Sequence, residues 1–132
     1  MTEDEVNKKC RLWLEGQGYK YKGILNTGLG QVPVPDGIRQ VLIDHQGHKD
    51  RPVDLCWVEA KGSGVGFSML FQGLIRVIYA VYHGGGKGLL AIPEEEYELL
   101  LKQRQFLEAV VRSSERVMGL LNADSGEIIW FK

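Results

Sequence analysis

Residues 67–82 carry hydrophobic side chains on most sides of a helix, and this segment constrains the fold more than any other part of the chain. A helix of this kind must be buried by a sheet or by a partner. Strand-like stretches flank it, "VDLCWVEAK" at 53–61 and "GLLAIP" at 88–93. Because helical and strand patterns interleave in this way, the sequence predicts a layered α/β or α+β fold with a central mixed β-sheet flanked by helices.

Other local patterns complete the predicted order of elements. A helix is predicted at 3–15, where Thr2 as N-cap and Glu5 three residues later have the spacing of a capping box. Residues 38–44 and 53–61 form a predicted hairpin. The remaining predicted elements are a short strand at 19–25, one long amphipathic helix at 94–117 and a closing hairpin at 118–132 with its turn at Asp124-Ser125-Gly126.

Length and composition favour a single soluble domain, residues 1–132. Apolar residues make up 44% of the chain, charged residues 25%, and the formal net charge is −1. That charge gives no global basic field for nucleic acid, although a local basic patch would be enough. The longest apolar run, 69–82, contains Gln72 and Arg76 and is too short to span a bilayer. We therefore expect a cytoplasmic protein without a membrane partner, in which Cys10 and Cys56 are buried thiols.

The segment 53–62 closes an apolar strand pattern with two opposite charges, Glu59 and Lys61. Side chains on a strand alternate between its faces. One face is therefore predicted to carry Leu55, Trp57, Glu59 and Lys61, and the other Asp54, Cys56, Val58 and Ala60. Glu59 and Lys61 then point together at the end of the strand.

This pattern is suited to metal-assisted hydrolysis of a phosphodiester. The Glu59 carboxylate and the Ala60 carbonyl offer oxygen ligands to a hard divalent cation, and the Lys61 ammonium can orient water or stabilise developing charge. Such a site needs a second carboxylate. Asp36 follows Pro35 at the entrance to the first hairpin strand, and pairing across the hairpin can bring it to Glu59. Asp54 is nearer in sequence, but its odd spacing from Glu59 puts it on the other face.

Pro35-Asp36, followed after 23 residues by Glu59-Ala60-Lys61, resembles the PD-(D/E)XK nuclease superfamily. That superfamily includes restriction enzymes, Holliday-junction resolvases and small VRR-NUC domains. The resemblance covers residues 3–92 and implies a restriction-endonuclease-like core, to which a C-terminal helix and β-hairpin are added. It implies that Asp36 and Glu59 bind Mg²⁺, for which Mn²⁺ can substitute, and that Lys61 acts on the attacking water.

The resemblance also implies several supporting residues. Glu3 is the candidate for an additional metal-binding acid on the first helix, and Gln72 for the glutamine that several members carry after the strand motif. Gln72 has the alternative of being a buried amide bonded to the backbone. Homodimers are common in this superfamily, and Trp130 and Phe131 look exposed, so a homodimer is expected. The candidate contacts to a nucleic-acid backbone are Arg39, Lys49, Arg51 and Arg76. The polar turn around Lys49 and Arg51 has the alternative of being merely solvated, and Arg76 that of pairing with a local acid.

Taken with this resemblance, the residues predict a Mg²⁺-dependent nuclease that hydrolyses phosphodiester bonds in nucleic acid, with DNA as the expected substrate. Two alternatives remain open. The chain can be a catalytically silent module of the same fold that binds nucleic acid or a protein partner. Alternatively, Glu59 and Lys61 are an ordinary charged pair at a strand end and Pro35-Asp36 only begins a turn.

Overall fold

A mixed β-sheet with helices on both faces forms the fold, as seen in a computed structural model that describes residues 1–16, 19–21, 42–44, 55–84, 86–115 and 117–131. The helices are α1 (Glu3–Glu15), α2 (Phe67–Gly84), α3 (Glu94–Leu101) and α4 (Arg104–Ser114). The strands are β1 (Tyr19–Tyr21), β2 (Leu42–Asp44), β3 (Leu55–Ala60), β4 (Lys87–Ile92), β5 (Val117–Asn122) and β6 (Ile128–Phe131).

In the described part of the chain, six strands pair in the same order as they follow one another in sequence. β3, β4 and β5 are parallel neighbours, whereas β1–β2, β2–β3 and β5–β6 are antiparallel. The parallel pairs are joined by helices, as parallel pairing requires. The predicted mixed sheet is confirmed.

The helices divide between the two faces of the sheet. β3, β4 and β5 advance in one direction, and right-handed crossovers then put all connecting helices on one face. Consistent with this, one core cluster unites side chains of α2, α3 and α4 with the sheet, and it includes Trp57, Leu74, Leu90, Tyr97, Leu107 and Leu120. The second cluster joins α1 to the opposite face through Val6, Cys10, Leu14, Cys56, Val58 and Leu89.

The predicted alternation along β3 is also confirmed. Trp57 packs in the cluster beneath α2, while Cys56, Val58 and Ala60 pack in the cluster beneath α1. Strand β3 is therefore covered on both sides. Glu59 has the same parity as Trp57 and belongs to the α2 side.

The predicted α1 helix and both hairpins are present. The Glu5 amide donates to Thr2 Oγ1 at 3.2 Å, and the Glu5 carboxylate accepts from the Thr2 amide, which completes the capping box. Leu42 pairs with Cys56 across β2 and β3, so the first hairpin is confirmed over its described residues. β5 and β6 form the closing hairpin.

Two predictions about the C-terminal third are wrong. The single helix expected at 94–117 is two helices, α3 and α4, which meet at Lys102 and Gln103. Phe131, expected to be exposed, is only 1% exposed because it joins the core cluster beneath α4. Trp130 is partly buried and lies under the Lys87 ammonium, 5.0 Å from the ring centroid.

Among the described helices, none combines the length and the apolar character that a membrane crossing requires.

Candidate functional site

Glu59 and Lys61 stand at the carboxyl end of β3, in the middle of the sheet. Glu59 is fully buried and Lys61 is 5% exposed. The Lys61 amide donates to the Ala91 carbonyl at 3.1 Å, which extends the β3–β4 ladder one residue past the strand. The backbone of Lys61 is therefore fixed by a neighbouring strand.

Gly73 of α2 crosses directly over these two side chains. A Cβ atom at this position would lie 3.3 Å from Lys61 Cε, 3.4 Å from Glu59 Cγ and 3.0 Å from Leu90 Cδ1. The absence of a side chain at Gly73 thus leaves the space that Glu59 and Lys61 occupy. Because both side chains reach the same point on α2, the structure brings the two charged residues of the motif together between the sheet and this helix.

The loop that follows Lys61 meets the beginning of α1. A Cβ atom on Gly62 would lie 2.8 Å from the Glu3 amide nitrogen and 2.9 Å from the Met1 carbonyl oxygen, so only glycine fits there. The Ser63 amide donates to that same Met1 carbonyl at 2.8 Å. A pocket of about 470 Å³ opens at this junction, and Glu3, Lys61 and Met69 are among its lining residues.

Other candidate residues occupy different positions. Glu3 is exposed and shares that pocket with Lys61. Gln72 is exposed, which excludes the alternative of a buried amide, and it is Gly73 that lies over Glu59. Arg76 is partly buried one turn further along α2, and the Ala60 side chain packs on the α1 side. Four candidates lie outside the described residues: Asp36, Arg39, Lys49 and Arg51.

The donor groups at this site fit a hard cation in their chemistry. Glu59 contributes a carboxylate, the oxygen ligand that Mg²⁺ prefers in proteins. Within the described ranges, no group of three or more His, Cys, Asp or Glu side chains forms a metal cluster. A cluster of this kind that included Glu59 would need side chains from outside the described residues.

Two residues near the site were not anticipated from the sequence. Gly73 carries a signal that could have been read, because a glycine inside a helix costs about 1 kcal/mol relative to alanine and often marks a close approach. Glu96 of α3 is 5% exposed and accepts a hydrogen bond from the Gly64 amide in the loop after Lys61. Nothing in the run Glu94-Glu95-Glu96 distinguishes it from its neighbours.

Comparisons of this chain with models of known families, with curated proteins and with solved structures found no match.

Proposed function

We propose that this protein is a Mg²⁺-dependent nuclease with a restriction-endonuclease-like core, in which Asp36 and Glu59 hold the metal and Lys61 assists the attack of water. One observation carries the proposal: Glu59 and Lys61 lie together, buried between β3 and Gly73 of α2, at the carboxyl end of a central strand.

The two residues have different roles in this mechanism. The bound Mg²⁺ would neutralise charge on the scissile phosphate and favour ionisation of water. Glu59 holds its carboxylate in a site from which solvent is excluded, where electrostatic interactions are stronger than in water. Lys61 presents a cation whose backbone is fixed by Ala91, so it needs little reorganisation as negative charge develops in the transition state.

The β2–β3 register supports a contribution from the chain before β2. Leu42, the first residue of β2, pairs with Cys56, so β2 enters the sheet from the side on which Glu59 lies. Asp36 itself lies outside the described residues, so the Asp36→Asn variant tests its contribution directly.

Calorimetric titration of Mg²⁺ and cleavage of single- and double-stranded DNA and RNA test the proposal. We expect Asp36→Asn and Glu59→Gln to abolish both metal binding and cleavage, because each removes a charged oxygen ligand. Asp54→Asn is the matched control: it makes the same chemical change five residues before Glu59, at a position of opposite parity, and it should retain both activities.

The remaining outcomes separate the alternatives. Loss of the metal in Asp54→Asn, with retention in Asp36→Asn, would show that the Pro35-Asp36 match arose by chance. Nucleic-acid binding without cleavage in the wild type would identify a catalytically silent module of the same fold. If the wild type binds neither metal nor nucleic acid, Glu59 and Lys61 are a structural pair.

A further inference from the structure

The loop at residues 62–66 begins immediately after Lys61, and its backbone is tied to the rest of the molecule at each end. Just before the loop, the Lys61 amide donates to Ala91 of β4. Inside it, the Ser63 amide donates to Met1 and the Gly64 amide donates to Glu96 Oε1, both at 2.8 Å. At its far end, the Gly66 carbonyl accepts the Leu70 amide in the first turn of α2.

The sequence of this loop does not by itself determine the conformation of the loop. Gly64 and Gly66 adopt φ values of +75° and +81°, and a Cβ atom on either would meet nothing within 4 Å. Glycine is therefore present for its backbone freedom and not for lack of space. Because glycine has many accessible conformations, the observed one must be selected by contacts from outside the loop, and among side chains of the described residues Glu96 supplies one to Gly64.

Glu96 is placed for this contact at an energetic cost. It is 5% exposed, whereas Glu94 and Glu95 in the same turn of α3 are exposed. Its Oε1 accepts the Gly64 amide, and its Oε2 is buried without a hydrogen-bond partner among the described residues. A buried carboxylate with one oxygen unsatisfied is unfavourable. A hydrogen bond to an ionised acceptor is strong, which offsets part of that cost.

We propose that Glu96 is a positioning residue for the Lys61 site. By holding the Gly64 amide, it fixes the loop that joins Lys61 to the start of α2, and so keeps the Lys61 side chain beneath Gly73. The catalytic consequence of this inference rests on the proposed nuclease function. The structural consequence, a coupling from Glu96 through Gly64 to Lys61, can be measured without any activity.

The test compares Glu96→Ala, Glu96→Asp and Glu96→Gln with Glu95→Ala as the matched control on the same helical turn. Two NMR readouts apply: hydrogen exchange of the Gly64 amide and the chemical shift of Lys61 Cε. We expect Glu96→Ala to speed Gly64 exchange by about tenfold or more and to shift the Lys61 resonance, since a hydrogen bond to a charged group is lost. Glu96→Asp keeps the charge, but its side chain is too short to reach the Gly64 amide, so we expect the same two changes. It replaces Glu96→Ala in the test if the alanine variant does not fold.

Rescue by the conservative variant separates positioning from a general loss of stability. Glu96→Gln retains an acceptor oxygen at the same distance and should keep both readouts close to wild type, as should Glu95→Ala. If the protein cleaves nucleic acid, Glu96→Ala and Glu96→Asp should lower kcat roughly 10- to 100-fold with little change in KM, because a misplaced group affects the chemical step.

Unchanged Gly64 exchange in both Glu96→Ala and Glu96→Asp would overturn the proposal. So would faster exchange with an unmoved Lys61 resonance, because the loop would then be uncoupled from Lys61. If the wild type cleaves no nucleic acid, the nuclease proposal fails, and the two NMR readouts still decide whether Glu96 positions Lys61.

Discussion

Glu59 and Lys61 present opposite charges in a region that is almost closed to solvent. Burial removes hydration from both groups, and their attraction offsets this only when the geometry is favourable. A pair of charges at the end of a strand can avoid that cost by pointing into water. Here α2 covers them instead, and Gly73 leaves the space for them to remain there. Retention of two buried charges at the carboxyl end of a central strand is what distinguishes this position from an ordinary surface pair.

Replacement of Lys61 by alanine tests the catalytic role of the ammonium. We expect turnover to fall on the order of 10²–10³, the scale of losing one preorganised electrostatic group. Mg²⁺ affinity should be unchanged or higher, because a cation has left the neighbourhood of the carboxylate. Cleavage kinetics and calorimetry measure the two quantities, and Lys102→Ala, which removes an exposed ammonium, is the control. Equal turnover in Lys61→Ala and wild type would exclude a catalytic role.

Because Cys10 and Cys56 are buried, we expect the free energy of unfolding to fall at alkaline pH. Burial raises the pKa of the Cys56 thiol to about 12, and burial together with the nearby Cys56 raises the pKa of Cys10 well above its ordinary range. A raised pKa means that the unfolded chain loses its proton first, so the stabilisation is complete below pH about 9 and declines as the pH rises from 9 toward 12. The Cys56 thiol contributes up to about 1.4 kcal/mol per pH unit in that range.

Urea unfolding of the wild type and of Cys56→Ala between pH 7 and 11 measures this effect. The alanine variant will be less stable at neutral pH, because it loses buried volume. Its free energy of unfolding should nevertheless fall less steeply above pH about 9 than that of the wild type. Parallel curves for the two proteins would show that the Cys56 thiol is not shielded from solvent.

At the scale of elements, helices α3 and α4 show how tertiary contacts divide one amphipathic pattern. No glycine or proline separates them. The Gln103 amide bonds to the Leu100 carbonyl, a tightened turn that ends α3, and Gln103 then leaves the helical region with φ −107° and ψ 25°. The change of direction brings Phe106 to Phe71 of α2, with ring centroids 5.5 Å apart. Contacts between α4 and α2 therefore accompany the break.

Helix α3 also begins without a cap from its own sequence. Its N-cap residue is Pro93, which supplies no side-chain hydrogen bond. The Glu94 amide instead donates to Asp124 Oδ2 at 2.8 Å, from the turn between β5 and β6. A carboxylate at this position satisfies a free amide and interacts favourably with the helix dipole. The closing hairpin is thereby linked to the helix that carries Glu96.

We expect Asp124→Ala to lower the free energy of unfolding by about 1 kcal/mol, the usual effect of losing a helix N-cap. Asp124→Asn keeps an acceptor oxygen and should lose less. Chemical denaturation of the three proteins at neutral pH measures both differences. An alanine variant as stable as wild type would show that water replaces the carboxylate without loss.

At the scale of the whole molecule, apolar side chains remain on the surface where α2 and α4 meet. Phe67 and Phe106 are 39% and 54% exposed, and Phe71 lies between them in edge-to-face contact with each ring. The sheet buries one side of α2, through Leu70, Leu74 and Val77, and leaves this side uncovered. An exposed cluster of aromatic rings is a common element of protein interfaces.

We expect the protein to form a homodimer through this aromatic surface, the cluster of Phe67, Phe71 and Phe106. Light scattering at tens of micromolar should give twice the 14.8 kDa of one chain. Phe106→Ser should shift the mass toward the monomer, whereas Leu12→Ser, which changes an even more exposed apolar residue on α1, should not. A monomeric wild type would contradict the expectation. A dimer unaffected by Phe106→Ser would place the interface elsewhere.

The sequence by itself determined the features that depend on neighbouring residues. Thr2 and Glu5 encode their capping box within one turn, and the alternation of Trp57, Val58 and Glu59 encodes which face each side chain takes. These predictions held because the hydrogen bonds and the periodicity involved are local.

Tertiary structure decided what depends on distant parts of the chain. Glu94, Glu95 and Glu96 read alike in sequence, yet only Glu96 is buried, and its carboxylate accepts the Gly64 amide from a distant loop. The division of the predicted 94–117 helix has no local signal in the sequence. Phe131 is buried because it packs in a cluster with side chains of helices that lie far before it in the chain. Burial is a property of two surfaces that meet, so one strand or helix cannot specify it alone.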